Sequence, residues 1–404
     1  MIICKIWDAD YPWDVRVEKI CGSLTKKNEV HLVCRNSLCR PRYEYVDSLH
    51  IHRLPCLPKQ YGPLNRVLGF PAFFNPLWIY SIWRVARTAK IDLILVRDLP
   101  LALTALIVGR LLKVPVVLDM AENYPAMMQD LQAMTPFGIQ TLINGVVRNP
   151  AFVRAVERVA IHAVDHILVV VEEARDRLVG MGVPPSRISL VINTPTCDRL
   201  DSSPESRLPG VSPRQDSLTL IYLGLLEPPR GLDTVIAGME RLRDRSPNLR
   251  LRIIGSGRDA ERLHAMVREK GLMDRVEFLG WIDYKYAIRH IHEADIGLVP
   301  HHATESWNTT IPNKLFDYMS MGKPVIVSNA KPVERIVREV QCGVVFREQD
   351  PDDLARAILT LESESVKAAM GRRGKDAVAR KYNWAVDEQR LFQALEIVVG
   401  MGRS

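Results

Sequence analysis

The sequence predicts an α/β protein built of two doubly wound domains, and three observations carry that expectation. Short β-branched runs alternate with longer segments of 3.6-residue periodicity along almost the whole chain, the pattern of βαβ units around a parallel sheet. A Pro/Ser/charge-rich, aperiodic stretch at 194–217 interrupts the alternation and reads as a linker. At 404 residues the chain exceeds one ordinary core and suits two of roughly 150 to 200 residues. The expected division is an N-terminal domain at 1–197, the linker at 198–217, a second domain at 218–380 and a C-terminal segment at 381–404.

In the first half, strands are expected at 2–7 (IICKIW), 29–34, 49–54, 92–97, 115–120, 166–171 and 188–193. Helices are expected between them at 15–26, 72–89, 100–112, 150–163 and 172–180. The alternation restarts after the linker with strands at 218–224, 249–255, 276–280, 295–300, 324–328 and 343–346. Its helices fall at 231–244, 258–270, 284–292, 312–320 and 331–339. Ligands of such sheets gather at the carboxyl ends of the strands, here expected where the two domains face each other.

Composition supports a folded protein, with 47% hydrophobic and 25% charged residues. The net charge of +7 is unevenly placed, with +6 in residues 1–200. Residues 48–91 contain no acid, and interleave Arg53, Lys59, Arg66, Arg84, Arg87 and Lys90 with aromatic residues from Tyr61 to Trp83. Such a helix suits an anionic membrane surface, or equally a basic surface over a buried aromatic face. No nucleic-acid motif accompanies the charge, so nucleic acid is not expected as a partner. No apolar stretch approaches the roughly 20 residues that span a bilayer, and MIICKIWDAD does not read as a signal peptide. The seven cysteines are odd in number and form no CxxC pair, so they are expected to be reduced core residues of a cytoplasmic protein, outside disulfides and zinc sites.

Three turns follow strands directly and carry glycine: Gly224 with Arg230-Gly231, Gly255 with Gly257, and Gly280. Glycine there lets backbone N–H groups approach a ligand, and a helix start favours anions; a plain tight turn explains each one equally. GSGRDA is not the full dinucleotide fingerprint. In IPNKLFDYMSMGKPVIVSNA, Pro312 is expected in the first helical turn, leaving N–H groups near Asn313 and Lys314 open to an anion. Leu315, Phe316 and Met319 can pack inward, and Asp317 can accept from the two vicinal hydroxyls of a ribose. The same aspartate can instead serve the helix dipole.

Six motifs in order, YLGLLEPPRGLDTVIAG, LRIIGSGRDAERL, RVEFLGWI, ADIGLVPH, NTTIPNKLFDYMSMGKPVIVS and GVVF, resemble the retaining nucleotide-sugar glycosyltransferases of family 4. VEEARDRLVGMGVPPSRISLVIN and RDLPLALTALIVGRLLKVPVVLDMAENYP extend the likeness into the first half, toward a PNK-type subgroup acting in bacterial surface polysaccharides. The resemblance implies the GT-B fold of two facing Rossmann-like domains, with the 381–404 segment, which opens KYNWAVDEQRLFQALEIVV, as a helix crossing back to the N-domain. It implies Arg230 as the diphosphate cation and Asp317 as the ribose-binding acid, in place of the second Glu of the family's ExxxxxxxE motif. It places the base against the backbone around Gly255 to Gly257 and Phe278 to Trp281, with Gly224 also in the donor site. The sugar and phosphate fall to Thr309, Thr310, Pro312, Asn313 and Lys314.

The chain departs from the family at three points: Thr309 stands for the first Glu, Leu225 for a common Arg and Ala121 for the His of DxHE. Asp119 and Glu122 are then the nearest catalytic candidates beside Arg230, with Glu305 either a replacement acid or a solvated one. Asp14 and Arg16 stand in the acceptor loop, where Arg16 can meet an acceptor phosphate or pair with Asp14 or Glu18. The DAD at 8–10 matches a metal motif of another fold, but GT-B chemistry relies on cations and helix dipoles, so no metal and no other cofactor is expected. The implied reaction is retaining transfer from a UDP- or GDP-sugar to a glycan or lipid-linked acceptor, by same-face attack, at the inner face of the cell membrane. A catalytically impaired binding subunit and a nucleotide-sugar 2-epimerase are the competing readings.

Overall fold

The computed structural model describes residues 1–56, 73–134, 149–196 and 217–401. The expected linker therefore lies outside the described residues except for Ser217, as do Lys59, Tyr61, Arg66 and Phe70 of the acid-free stretch. Two compact units result, one of residues 1–192 with 387–404 and one of residues 193–386.

The first unit is a sheet of β1 (Ile2–Trp7), β2 (Glu29–Cys34), β3 (Tyr43–Val46), β4 (Leu49–Arg53), β5 (Leu93–Arg97), β6 (Val116–Met120), β7 (His166–Val169) and β8 (Ile188–Leu190). Their order is β3-β4-β2-β1-β5-β6-β7-β8, parallel except for β3 on β4. β5 and β6 are buried at every position, as central parallel strands covered on both faces must be. The helices begin where the sequence supplies caps. The Asn75 side chain accepts from Leu77 N–H ahead of Pro76, and Asn149 does the same for Ala151 ahead of Pro150.

The Pro76–Ala89 helix has a buried apolar face under an exposed basic one. Trp78, Ile82, Val85 and Ala86 are buried, while Tyr80, Arg84 and Arg87 face outward and Phe74 and Lys90 flank them, also exposed. β3 was not expected, because YEYV is a short edge strand with little burial and no apolar alternation. It also explains a correction. Cys39 precedes β3 and Cys56 follows β4, so the antiparallel pair brings their Cα atoms to 5.6 Å and they form a disulfide rather than staying reduced. Cys4, Cys21, Cys34 and Cys342 are free and buried.

A charged core lies under the carboxyl ends of β1 and β6. Asp119 is fully buried, and its Oδ1 accepts from Arg16 Nε at 3.0 Å and Nη2 at 2.6 Å, while Oδ2 meets Lys5 Nζ at 3.2 Å. Arg16, itself buried, also donates to Val191 O at 2.9 Å. Burial on its own would raise the Asp119 pKa, but Arg16, Lys5 and Arg97 outweigh it and hold the carboxyl well below the usual carboxylate range. The Trp384–Met401 helix belongs to this unit from Asp387 onward, where Asp387 accepts from Ile192 N–H at 3.2 Å and Glu388 pairs with Lys26 at 2.7 Å.

The second unit is an all-parallel sheet of β9 (Leu218–Leu223), β10 (Leu249–Ile254), β11 (Val276–Gly280), β12 (Ile296–Val299), β13 (Val325–Ser328) and β14 (Gly343–Phe346), in the order β11-β10-β9-β12-β13-β14. The winding direction reverses between β9 and β12, as it does between β1 and β5 in the first unit. Both reversals open a crevice at the carboxyl ends of the strands.

Replacing Asp119 by Ala strands Arg16 and Lys5 as buried, uncompensated cations. The first unit should lose about 3–5 kcal/mol in denaturant unfolding. Because the carboxyl pKa is depressed, this stabilisation should be complete above the ordinary carboxylate range and fade only as pH falls below it. Equal wild-type and variant midpoints at neutral pH would contradict this account.

Candidate functional site

At the reversal between β9 and β12, two turns are pressed together. The chain leaves β9 through Gly224, forms a 3-10 turn at Pro228–Arg230, and enters the Leu232–Arg241 helix through Gly231 at φ 71°. A Cβ at Gly231 would sit 1.9 Å from the Pro300 carbonyl oxygen, so only glycine allows this approach. His302 N–H donates to Pro229 O at 2.9 Å and completes the junction.

Arg230 is fixed within that junction. Its Nη1 donates to His301 Nε2 at 2.9 Å, and its guanidinium lies 4.5 Å from the Trp307 ring centroid. His301 is buried and meets Trp307 edge-on at 4.4 Å. Burial first, then Lys314, Arg230 and His302, push its pKa well below the usual value. With Nε2 accepting, the neutral ring carries its proton on Nδ1, a buried atom that has no partner among the described residues.

Lys314 opens the Lys314–Ser320 helix, with Asn313 as its N-cap. Pro312 therefore precedes the cap instead of standing in the first turn, a correction to the expected helix start. The Lys314 side chain is buried, its ammonium lies 3.7 Å from the Tyr222 ring centroid, and it has no hydrogen-bond acceptor among the described residues. Burial, then Arg230, push its pKa well down. Gly224, at φ 139°, leaves the room this side chain occupies, since a Cβ there would be 2.9 Å from Nζ. Tyr318 accepts from Leu223 N–H at 3.0 Å and so pins this helix to the end of β9.

Asp317 is half-buried and accepts from the Tyr284 hydroxyl at 2.8 Å. Thr309 donates to the Glu305 and Ser306 carbonyls, Thr310 is buried, and Glu305 is exposed. Gly255 and Gly257 have a structural reason of their own. Cβ atoms there would lie 1.8 Å from Gly224 O and 2.1 Å from Leu226 O, and Gly255 N–H already donates to Gly280 O at 2.8 Å. The plain-turn explanation thus suffices for both. Phe278 stacks on His264 with centroids 3.8 Å apart, and Trp281 stands exposed.

The reversal in the first unit gathers acids. Asp8 follows β1, and burial, then Asp98, push its carboxyl up to about 6. Asp98 follows β5 at φ 57°, and its Oδ1 accepts from Ala121 N–H at 3.0 Å. Burial, then Asp8, Asp98 and Glu122, hold the Tyr124 phenol well above its usual pKa. Glu122 is half-buried, and Arg97 lies 3.4 Å from Asp98 and 3.8 Å from Asp14.

Two expectations are corrected here. Asp119 and Arg16 lie buried beneath this cluster and pair with each other, so Asp119 is not placed to touch a substrate. Arg16 is buried on Asp119 rather than paired with Asp14 or Glu18. Asp14 caps the Val15–Leu24 helix by accepting from Val17 N–H at 2.9 Å, and Asp10 of the DAD accepts from Ser37 N–H at 2.7 Å. Sequence reasoning did not single out His301, Tyr284 and Trp307 in the second unit or Arg97, Asp98 and Tyr124 in the first, and weighed Asp8 only within the DAD. Position was the readable signal for Arg97, which closes β5, Asp98, which follows it, and His301, two residues beyond β12; Tyr284, Trp307 and Tyr124 lie further on and had none.

Comparison with known proteins agrees with this architecture. Residues 15–194 match the model of a glycosyl transferase 4-like domain, and residues 217–364 match that of glycosyl transferases group 1. The phosphatidyl-myo-inositol mannosyltransferase of Mycolicibacterium smegmatis is 27% identical over 192 residues, 46% of this chain and 47% of that protein. The chain spans about half the length of the curated relatives it matches. Among solved structures, sucrose-phosphate synthase from Thermosynechococcus elongatus superposes with a TM-score of 0.75 at 18% identity, over 99% of this chain and 100% of that one. Anabaena HepE in complex with UDP gives 0.70 at 14% identity, over 98% and 100%. With both halves of the chain matched in order and the GT-B architecture shared along its length, the protein belongs to the family 4 glycosyltransferases of GT-B fold.

Proposed function

We propose that the protein transfers a sugar, with retention, from a nucleotide diphosphate-sugar to a hydroxyl of a glycan or lipid-linked acceptor in cell-surface polysaccharide synthesis. The observation that carries the reading is the buried, unpaired Lys314 ammonium near the Arg230–His301 pair at the β9/β12 reversal. Buried cations without an acceptor are costly, and an anionic ligand removes that cost. A diphosphate fits the need, because it gains charge as the glycosidic bond breaks and is then bound best. The UDP held by HepE supports a UDP-sugar as donor.

In this reading Arg230 and Lys314 hold the leaving diphosphate and His301 Nδ1–H donates to it. Asp317, with Tyr284 behind it, takes the ribose hydroxyls, and Trp281 offers a face to the base. Among the described residues around Arg230 and Lys314 no carboxylate stands out as a nucleophile, so in this reading the leaving phosphate assists attack on the same face of the sugar, without a metal. Asp8, Asp98, Glu122 and Tyr124 receive the acceptor hydroxyl in the first unit. A lipid-linked acceptor is supported by the name of the mannosyltransferase relative and by the outward Phe74, Tyr80, Arg84, Arg87 and Lys90. The protein then works at the inner face of the cell membrane.

A thermal-shift panel of UDP, GDP, ADP, dTDP and CMP tests the donor site. One nucleoside diphosphate should stabilise the wild type with or without magnesium, and Asp317→Ala should weaken the response. Arg230→Ala should lower kcat by about 100- to 1000-fold, the loss expected for one donor to developing charge. A panel with no response in the wild type would favour a non-catalytic partner, and epimerised sugar without nucleotide release would indicate the epimerase.

Lys314 makes the affinity depend on pH. Its pKa is depressed without ligand and should rise when a diphosphate arrives, so binding takes up a proton once pH exceeds the depressed value. Calorimetry should show affinity falling from neutral to alkaline pH, with heats that depend on the buffer. Lys314→Met should bind more weakly and lose that slope; an unchanged slope would remove Lys314 from the phosphate site.

Vesicles test the membrane reading. Wild type should co-sediment with anionic vesicles and less with neutral ones, and the Arg84→Glu/Arg87→Glu double variant should stay in solution. Indifference of the wild type to lipid charge would count against the reading.

A further inference from the structure

At the outer edge of the first unit, three strands place imidazoles and a carboxylate on one face of the sheet. His31 on β2 is in register with His50 on β4, which is in register with Tyr45 on β3; His52 on β4 is in register with Tyr43 on β3. Glu29 and His31 are two residues apart on β2, and His50 and His52 on β4, so each pair shares a face. His31 stacks on His50 with centroids 4.5 Å apart and 11° between planes. His31 Nε2 lies 2.9 Å from Glu29 Oε1.

We propose that Glu29, His31 and His50 form a binding site for a divalent transition ion of the zinc class. One donor atom from each lies within 4.8 Å of the other two. Tetrahedral zinc with bonds of about 2.0–2.1 Å holds its donors about 3.3 Å apart, so the site closes by turning the exposed Glu29 and the half-buried His50 ring out of its stack on His31. The surroundings match what a metal-bound imidazole requires. His31 Nδ1 is 3.0 Å from His52 Nε2, and His50 Nδ1 is 2.9 Å from the Tyr43 hydroxyl. Each ring therefore has its Nδ1 within hydrogen-bond distance of a partner that can hold the ring in place, and the opposite nitrogen is the one offered to the ion, His31 Nε2 exchanging its contact with Glu29 for a site the two share.

Two imidazoles and one carboxylate favour zinc over magnesium or calcium, which prefer oxygen donors. The exposed side, with Glu29, leaves room for water as a fourth ligand. Glu29 begins β2, and the cluster lies toward the amino-terminal side of the strands, away from the strand ends that carry the acids and cations described above. The ion ties β2 to β4 and has no part in sugar transfer, so the proposal stands apart from the function proposed above.

The test uses the untagged full chain, stripped with a chelator and titrated with zinc chloride by calorimetry. The expected result is one zinc per chain, a raised melting temperature and no response to magnesium. Glu29→Gln and His50→Gln should each lower the affinity at least about tenfold, and His52→Gln, behind the ligands, by about 10- to 100-fold. His31 is buried, so the more accessible Glu29 and His50 carry the test. Nucleoside-diphosphate stabilisation retained in the variants shows that they fold. No zinc uptake by the wild type, or uptake with unchanged affinity in both variants, overturns the proposal.

Discussion

A parallel sheet wound in both directions must part its loops where the winding reverses, and the chemistry of each unit depends on what fills that gap. In the second unit the gap between β9 and β12 holds Arg230, His301 and Lys314. In the first, the gap between β1 and β5 holds Asp8 and Asp98, with Arg97 at the end of β5. The sign of the charge is opposite in the two, and so is its degree of compensation. Asp119 is ringed by Arg16, Lys5 and Arg97 and is satisfied within the protein, whereas the Lys314 ammonium has no acceptor among the described residues. A satisfied buried charge specifies structure, and an unsatisfied one specifies a ligand.

The glycines show how easily these roles are confused. Gly231, Gly255 and Gly257 are demanded by backbone approaching backbone, at distances that exclude any side chain. Gly224 differs, since the space beside it admits the Lys314 ammonium. That placement gives Leu225, the departure from the family's common arginine, a physical context. Leu225 is 46% exposed, and a cation from the 314–320 helix stands beside the preceding glycine.

The strands were legible because buried parallel strands are apolar at nearly every position, and β1 and β2, buried at all but their first residue, fall on their expected residues. β3 was not, since an exposed edge strand has no burial to write into its sequence. The Tyr124–Met134, Pro351–Thr360 and Glu364–Arg380 helices also went unassigned, although Asp350 and Pro351 mark one start plainly. In the proposed donor pocket, Arg230, Lys314 and Asp317 were named in advance through the family resemblance of their motifs. His301 was not, because a histidine after a strand looks the same whether it packs or binds. Arg16 and Asp119 misled for a related reason: their contact joins residues 103 apart, and no local pattern records it.

The disulfide and the histidine cluster share that cause. Cys39 with Cys56, and Glu29 with His31 and His50, meet only because β3 folds back on β4 and β4 lies beside β2. Cysteine parity and motif spacing test neighbours in sequence, and here the partners are neighbours in the sheet. The edge of a sheet is also where such cross-links count most, because a terminal strand has hydrogen-bonded support on one side only. A covalent bond around β3 and β4, and donors shared between β2 and β4, both act on the strands that the central core holds least.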